Sequence, residues 1–118
     1  MFVYNDKFRQ NIREINGIVF CCENIKPEYD SVAEHLASIY SQKLPSIVEV
    51  MIPELIDFYG DEIKDITIDE AIKRLGKPLI NLDLDLINFF DQTFDLAHII
   101  SVEYRGDFDD IFGFSVDG

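Results

Sequence analysis

Apolar and polar side chains alternate most clearly in the stretch Ala97-His98-Ile99-Ile100-Ser101-Val102-Glu103-Tyr104-Arg105. Successive side chains of a strand point to opposite faces of a sheet, so a strand here would have one buried and one wet face. We expect His98, Ile100, Val102 and Tyr104 to face the core, and Ile99, Ser101, Glu103 and Arg105 to face water. The loop Gly106-Asp107-Phe108-Asp109-Asp110 follows, and Phe112, Phe114 and Val116 then form the apolar face of a last strand. We therefore predict two antiparallel strands joined by an acidic loop.

A second alternation lies upstream, after Pro78. The apolar positions are Leu82, Leu84 and Leu86, and the polar positions between them are Asn81, Asp83 and Asp85. The spacing predicts another strand with one buried and one wet face. Together these segments predict an antiparallel meander over the last 40 residues, with its carboxylates on the wet face.

The middle of the chain has a helical period. Val32, Ala33, Leu36, Ile39, Tyr40 and Leu44 make one apolar stripe of an amphipathic helix that starts near Pro27. Pro45 predicts a stop or kink with a restart near Ser46. Pro53 predicts either a second break or the first turn of a separate short helix through Tyr59, and Gly60 ends the segment. Thr67-Ile68-Asp69-Glu70 has the form of a capping box, which predicts a short helix over 68–75 that ends at Gly76.

The N-terminal segment allows two structures. Asn16-Gly17 suits a two-residue type I′ turn and separates Phe8–Glu14 from the β-rich run Ile18–Cys22, which favours a hairpin. The alternative is a short helix over 6–15, in which Phe8, Ile12 and Ile15 share a face and Gly17 ends the helix. With the hairpin, the order of elements is strands, helices, strands. We predict one domain, residues 1–118, of the α+β class: an antiparallel sheet, built from the N-terminal hairpin and the C-terminal meander, with two to three helices packed on one face.

The charge balance excludes several partners. The 118 residues contain 10 Lys and Arg against 23 Asp and Glu, a formal net charge of −13. Nucleic acid and anionic membranes are bound through clustered basic side chains, so we expect neither as a partner. Residues 81–118 contain nine of the acids and one base, Arg105. A basic protein partner is the natural alternative.

The sequence shows no catalytic, phosphate-binding or zinc-binding motif, so we expect no enzyme activity, no cofactor and no metal. Asp107, Asp109 and Asp110 resemble the start of a calcium loop, but the glycine and the bidentate glutamate of that loop are missing. Cys21 and Cys22 are adjacent, and we expect free thiols with one buried and the other semi-exposed. No secretory signal or run of about 20 apolar residues occurs, so the expected location is the cytoplasm.

Two segments carry a resemblance to a known class of proteins. One is Tyr29–Gly60, with Leu44-Pro45-Ser46-Ile47 and Phe58-Tyr59-Gly60, and the other is Phe94–Glu103, leading to Asp117-Gly118. Both resemble segments of small bacterial domains of unknown function, several of which look like immunity proteins of contact-dependent inhibition and other polymorphic toxin systems. The resemblance implies an architecture and an inhibitory role, and it transfers no functional residues.

We therefore predict an immunity or inhibitor protein that binds a basic toxin domain, such as a nuclease, through an acidic surface. The predicted contact residues are Asp83, Asp85, Glu103, Asp107, Asp109 and Asp110, with Tyr104 or Phe108 as an aromatic anchor. The alternative is a generic acidic interaction or scaffold module whose charge maintains solubility. The sequence leaves the oligomeric state open.

Overall fold

The computed structural model describes residues 1–118 and has an α+β fold. One sheet contains seven strands in chain order: β1 (Val3–Asn5), β2 (Gln10–Ile15), β3 (Ile18–Cys22), β4 (Leu79–Asn81), β5 (Leu86–Phe89), β6 (Ile99–Arg105) and β7 (Asp110–Asp117). Two α-helices lie between β3 and β4 in the chain: α1 (Tyr29–Tyr59) and α2 (Ile68–Leu75), with a 3-10 turn over Asp61–Ile63 between them. The predicted fold class is confirmed.

The N-terminal segment is a hairpin, as favoured from the sequence. β2 and β3 pair antiparallel, and Asn16 and Gly17 have φ angles of 51° and 81°, the two positive values that a type I′ turn requires. A short edge strand, β1, precedes them. The side chain of Asn5 accepts hydrogen bonds from the backbone N–H groups of Lys7 and Phe8 and so holds the turn between β1 and β2.

The sheet is not antiparallel throughout, because β3 and β4 pair parallel. The two helices connect these strands and return the chain to the end of the sheet at which β3 began, which a tight turn cannot do. The core lies between the helices and one face of the sheet, here called the inner face. Its largest fully buried side chains include Phe20, Ile47, Leu55, Ile80, Phe89 and Ile100.

The predicted breaks in the first helix are wrong. α1 runs for 31 residues through both Pro45 and Pro53. Each proline removes one backbone N–H, and the carbonyls left without that donor belong to Ser41 and Glu49. Both prolines and both of these residues are exposed, so water can reach the freed carbonyls and the helix continues. α2 matches the prediction, since the Thr67 hydroxyl accepts from the Glu70 N–H at 3.1 Å.

The predicted strand over Leu82–Leu86 is also wrong. Residues 82–85 form the turn between β4 and β5, Leu84 is 64% exposed, and Leu86 begins β5. The Asn81 side chain accepts hydrogen bonds from the N–H groups of Asp83 and Leu84, and Asp85 has a φ of 51°. This Asx turn competes with the extended conformation that the alternating leucines suggested.

A β-bulge changes the face that the last strand presents. The register between β6 and β7 shifts between Ser101 and Glu103, so that Glu103 pairs with Phe112. Phe112, predicted to face the core, therefore lies on the outer face under the Arg105 guanidinium, and Ile111 packs against the core instead. Ser101, predicted to be wet, is buried and donates a hydrogen bond to the Asn88 side chain at 2.7 Å.

Both cysteines are buried free thiols, which corrects the expectation that one would be semi-exposed. β3 is a central strand, so Cys22 faces the core while Cys21 lies on the outer face. Phe8 from the β1–β2 turn meets Phe90, after β5, with ring centroids 6.2 Å apart, and this contact helps to cover the outer face. Burial raises the pKa of Cys21 to about 11, so this thiol is not a thiolate at neutral pH.

Candidate partner-binding site

The predicted acidic residues divide between two places, and the turn end of the sheet holds most of them. The β4–β5 turn and the β6–β7 loop lie side by side there, because the Tyr104 N–H donates to the Asp85 carbonyl at 3.0 Å. The N-terminal half of α1 packs against the same end. Five of the predicted residues lie in or beside these turns: Asp83, Asp85, Asp107, Asp109 and Asp110.

A cleft of about 410 Å³ opens between α1 and the two turns. Its charged or titratable lining groups are Asp85, Asp107 and His35, and neither lysine nor arginine lines it. Leu36 and Tyr104 supply apolar surface, and Ser31 supplies a hydroxyl. We call this cavity the acidic cleft. Its dimensions and charge suit the cationic end of a long side chain.

Three carboxylates at this end are paired within the chain, two with cations and one with a histidine ring. Asp107 lies 3.1 Å from the His35 ring, Asp109 lies 2.9 Å from the Lys43 ammonium, and Asp110 lies 3.2 Å from the Arg105 guanidinium. The hydrogen bond and charge of Lys43 lower the pKa of Asp109. All three acids are at least half exposed, so each pair contributes little to stability and a partner can compete for it.

Asp85 differs from these three because its carboxylate makes no hydrogen bond and no ion pair with the rest of the chain. Asp85 is the last residue of the turn before β5, and its φ of 51° is one that Asp and Asn tolerate better than most other residues. Asp85 is therefore the carboxylate of the cleft that is most available to an external cation.

Asp83 has a structural role in the same turn. One carboxylate oxygen accepts from the Glu23 N–H at 2.6 Å, and the other accepts from the Tyr29 hydroxyl at 2.7 Å. Burial and the Asp83 charge together raise the pKa of Tyr29 well above its usual range. Asp83 thus ties the β4–β5 turn to the end of β3 and to the start of α1, and both of its oxygens are already used.

The two predicted aromatic anchors are buried. Tyr104 and Phe108 are each 4% exposed, and their ring centroids lie 5.0 Å apart. Phe108 also meets the Tyr40 ring at 5.7 Å, edge to face. The β6–β7 loop turns Phe108 inward at a φ of 65°, so these rings support the floor of the site and do not project toward a partner.

Glu103 lies apart from the other predicted residues. It is on the outer face of β6, and its side chain covers Gly113 of β7, where a Cβ atom would collide with it. The structure therefore does not bring Glu103 to the acidic cleft.

A second polar cluster, missed from the sequence, lies at the opposite end of α1. The Asp95 carboxylate accepts hydrogen bonds from the Tyr59 hydroxyl at 2.6 Å, from Gln92, and from the N–H groups of Ala97 and His98, and it lies 2.8 Å from His98 Nδ1. Burial acts to raise the pKa of Asp95, but these bonds outweigh it and hold the pKa well below its usual range.

This Asp95 cluster orders the loop between β5 and β6. His98, expected to face the core, is only partly buried, because its ring turns back to Asp95 and meets Phe58 edge to face. The signal in the sequence was the Asp95-Leu96-Ala97-His98 spacing, in which an aspartate accepts from backbone N–H groups two and three residues later.

No group of three or more His, Cys, Asp and Glu side chains is arranged to hold a metal ion. None of the helices is both long enough and apolar enough to cross a bilayer. Comparison of the chain with protein-family models, with curated proteins and with solved structures found no match.

Proposed function

We propose that this chain is a binding protein for a basic protein partner, and that the acidic cleft receives a lysine or arginine side chain of that partner. The observation that supports the proposal best is the placement of two carboxylates, Asp85 and Asp107, on separate turns around one cavity with no lysine or arginine in its lining. A cation between them would interact with both charges, and it would replace the weak pairing of Asp107 with His35.

The rest of the surface supports the same class of partner. Counting pairs with His35 and His98, eight of the 23 carboxylates form ion pairs within the chain. The others keep their charge uncompensated, which produces a strongly negative field around the molecule. Such a field accelerates encounter with a basic protein by roughly 10–10³-fold at low salt.

The biological role that we propose is that of an immunity or inhibitor protein in the cytoplasm, which neutralises a basic toxin before it damages the cell. The acidity and the resemblance of the helical and C-terminal segments to immunity proteins support this role. A toxin that acts on nucleic acid needs a basic cleft. Carboxylates at the turn end would occupy the places that phosphates take in such a cleft.

A growth experiment tests this role. The toxin candidate encoded beside the gene for this chain is expressed alone, with the wild-type chain, and with the double variant Asp85→Asn/Asp107→Asn. Protection by the wild type and its loss in the double variant would support the proposal. The matched control is Asp6→Asn/Asp65→Asn, which removes the same charge from two exposed acids outside the cleft and should protect like the wild type.

The outcomes separate the proposed role from its alternative. Protection that survives in the cleft variant would remove the cleft from the interface. A toxin candidate that kills equally with and without the wild-type chain would favour an acidic interaction module unrelated to toxins. Equal loss in the cleft variant and in the control would show that total charge, and not the cleft, governs binding.

A further inference from the structure

The free edge of the sheet at β7 adjoins an apolar groove that the acidic cleft does not use. β7 pairs with β6 on one side only, so along its eight residues half of the backbone N–H and C=O groups point away from the sheet. Proteins usually protect such an edge with lysine, with proline or with a very short strand. β7 has no lysine or proline and is eight residues long, so its protection is limited to the bulge opposite Ser101 and Glu103 and to the aspartates at its two ends.

The groove runs between this edge and the middle of α1. It has a volume of about 190 Å³ and is lined by Val50, Met51 and Glu54 of α1, by Val102 of β6 and by Ile111–Phe114 of β7. Val50 is 51% exposed and forms part of the groove wall on the side of α1. A volume below the roughly 300–1,000 Å³ of small-molecule pockets suits a side chain better than a whole ligand.

The charges around this surface indicate the chemistry of the occupant. Glu54 lies in the groove itself, and Asp110 and Asp117 lie at the two ends of β7. Two cations lie near this surface and both are already paired: Arg105 lies over the Phe112 ring and is 3.2 Å from Asp110, and Lys43 of α1 is 2.9 Å from Asp109. A segment that docks here therefore meets apolar surface flanked by negative charge.

A second copy of the chain fits this edge poorly. If two β7 strands paired antiparallel along their full length, Asp110 of each copy would lie opposite Asp117 of the other. Like charges directly opposite each other destabilise a strand pair, and each molecule also has a net charge of −13.

We propose that β7 is the docking edge for an extended segment of another protein, which adds an eighth strand to the sheet, inserts an apolar side chain beside Val50 and places a basic side chain next to Glu54. Main-chain hydrogen bonds to β7 would provide affinity, and the groove would provide specificity, as in other complexes formed by strand addition. The proposal does not depend on the acidic cleft, since the two surfaces share no residue.

The probe is a short capped peptide in which valine and lysine alternate along one strand face with threonine between them, and the control peptide has the same length but proline at its centre. Binding is measured by fluorescence anisotropy on the full chain, and backbone amide exchange is measured by NMR with and without peptide. We expect slowed exchange confined to β7 and shifts at Val50–Glu54, and we expect the proline peptide to bind about tenfold more weakly or worse because it cannot extend the ladder.

Matched variants locate the site. Glu54→Lys and Val50→Lys should each weaken binding of the alternating peptide by about tenfold or more, because they place a like charge against it. Glu62→Lys on the 3-10 turn and Val3→Lys on the other edge strand, β1, are also exposed positions and should change affinity by no more than about twofold. Circular dichroism checks that each variant is folded. Glu54→Lys changes an exposed helical position, so it can still be used to test the proposal if Val50→Lys unfolds the chain.

Three results would overturn the proposal. Slowed exchange at β1 or no slowing at β7 would place the peptide elsewhere. If the controls weakened peptide binding as much as the test variants, general charge attraction and not this groove would explain the binding. A free chain that sedimentation velocity shows to be a dimer, and that Glu54→Lys or Val50→Lys converts to monomer, would assign the edge to a second copy.

Discussion

Replacement of Asp83 by alanine should unfold the turn end of the molecule more than any other single change to its carboxylates. The substitution removes both hydrogen bonds that the Asp83 oxygens accept, from the Glu23 N–H and from the Tyr29 hydroxyl. Tyr29 is 6% exposed and its hydroxyl would lose its one hydrogen-bond partner in the chain, whereas Glu23 is exposed and water can replace the bond to its N–H. The carboxylate therefore stabilises the fold chiefly through Tyr29.

The expected cost follows from these two bonds. A hydrogen bond to a charged acceptor contributes about 1.5–3 kcal/mol when its partner is buried, and less when water can replace it. We expect Asp83→Ala to lower the free energy of unfolding by about 2–3 kcal/mol. For a domain of this size that loss corresponds to a decrease in Tm of about 10 °C.

Urea denaturation followed by far-UV circular dichroism measures this cost, with Asp107→Ala as the matched control. Asp107 is an exposed aspartate at the same end and forms only a surface ion pair, so its removal should cost about 0.5 kcal/mol or less. Tyr29→Phe should reproduce part of the Asp83→Ala effect, and the double variant should cost less than the sum of the two. Equal stabilities of Asp83→Ala and Asp107→Ala would refute the structural role of Asp83.

Three further changes test other parts of the structure. Asp95→Asn should destabilise the chain at neutral pH, because the carboxylate accepts bonds from Tyr59 and His98 that an amide cannot all reproduce. Since folding lowers the pKa of Asp95, wild-type stability should fall as the pH drops below about 4, and urea titrations of the variant should show less of that fall. Gly17→Ala should cost about 1 kcal/mol in the same assay through backbone strain alone, since φ is 81° and no atom lies within 4 Å of the new Cβ. Pro53→Ala should raise the stability by about 1 kcal/mol, because it restores a helix N–H at an exposed position, and a decrease would show that Pro53 is required for the path of α1.

The elements that could be predicted are those whose conformation is set by a few neighbouring residues. Asn16-Gly17 specified its turn because only a few residue types tolerate two positive φ angles, and Thr67 specified the start of α2 through its own side chain. The leucines of 82–86 misled because an alternating pattern also occurs in a turn that an asparagine side chain stabilises. In that case a hydrogen bond between residues two positions apart, from the Asp83 N–H to the Asn81 side chain, outweighed the alternation of leucines that suggested a strand.

Other features depended on contacts that sequence spacing does not contain. The helix continues through Pro45 because that face of α1 is exposed, which becomes visible only when the packing is known. The bulge that turns Phe112 outward follows from the register of β6 against β7.

The same limit applies to the candidate site. The sequence located its acidic turns, but it could not show that Asp83 is bonded to Tyr29, 54 residues away, or that Lys43 already neutralises Asp109. Of the predicted carboxylates, Asp85 and Asp107 remain as the pair that lines a cavity.

The most direct test of the acidic cleft is a calorimetric titration of the protein encoded by the neighbouring gene with the wild-type chain and with Asp85→Asn/Asp107→Asn, at low and at high salt. We predict tight binding by the wild type, a loss of about tenfold or more in the cleft variant at low salt, and a smaller difference at high salt because screening weakens exposed charge pairs. An affinity for the cleft variant equal to that of the wild type at both salt concentrations would contradict a role for the acidic cleft in binding.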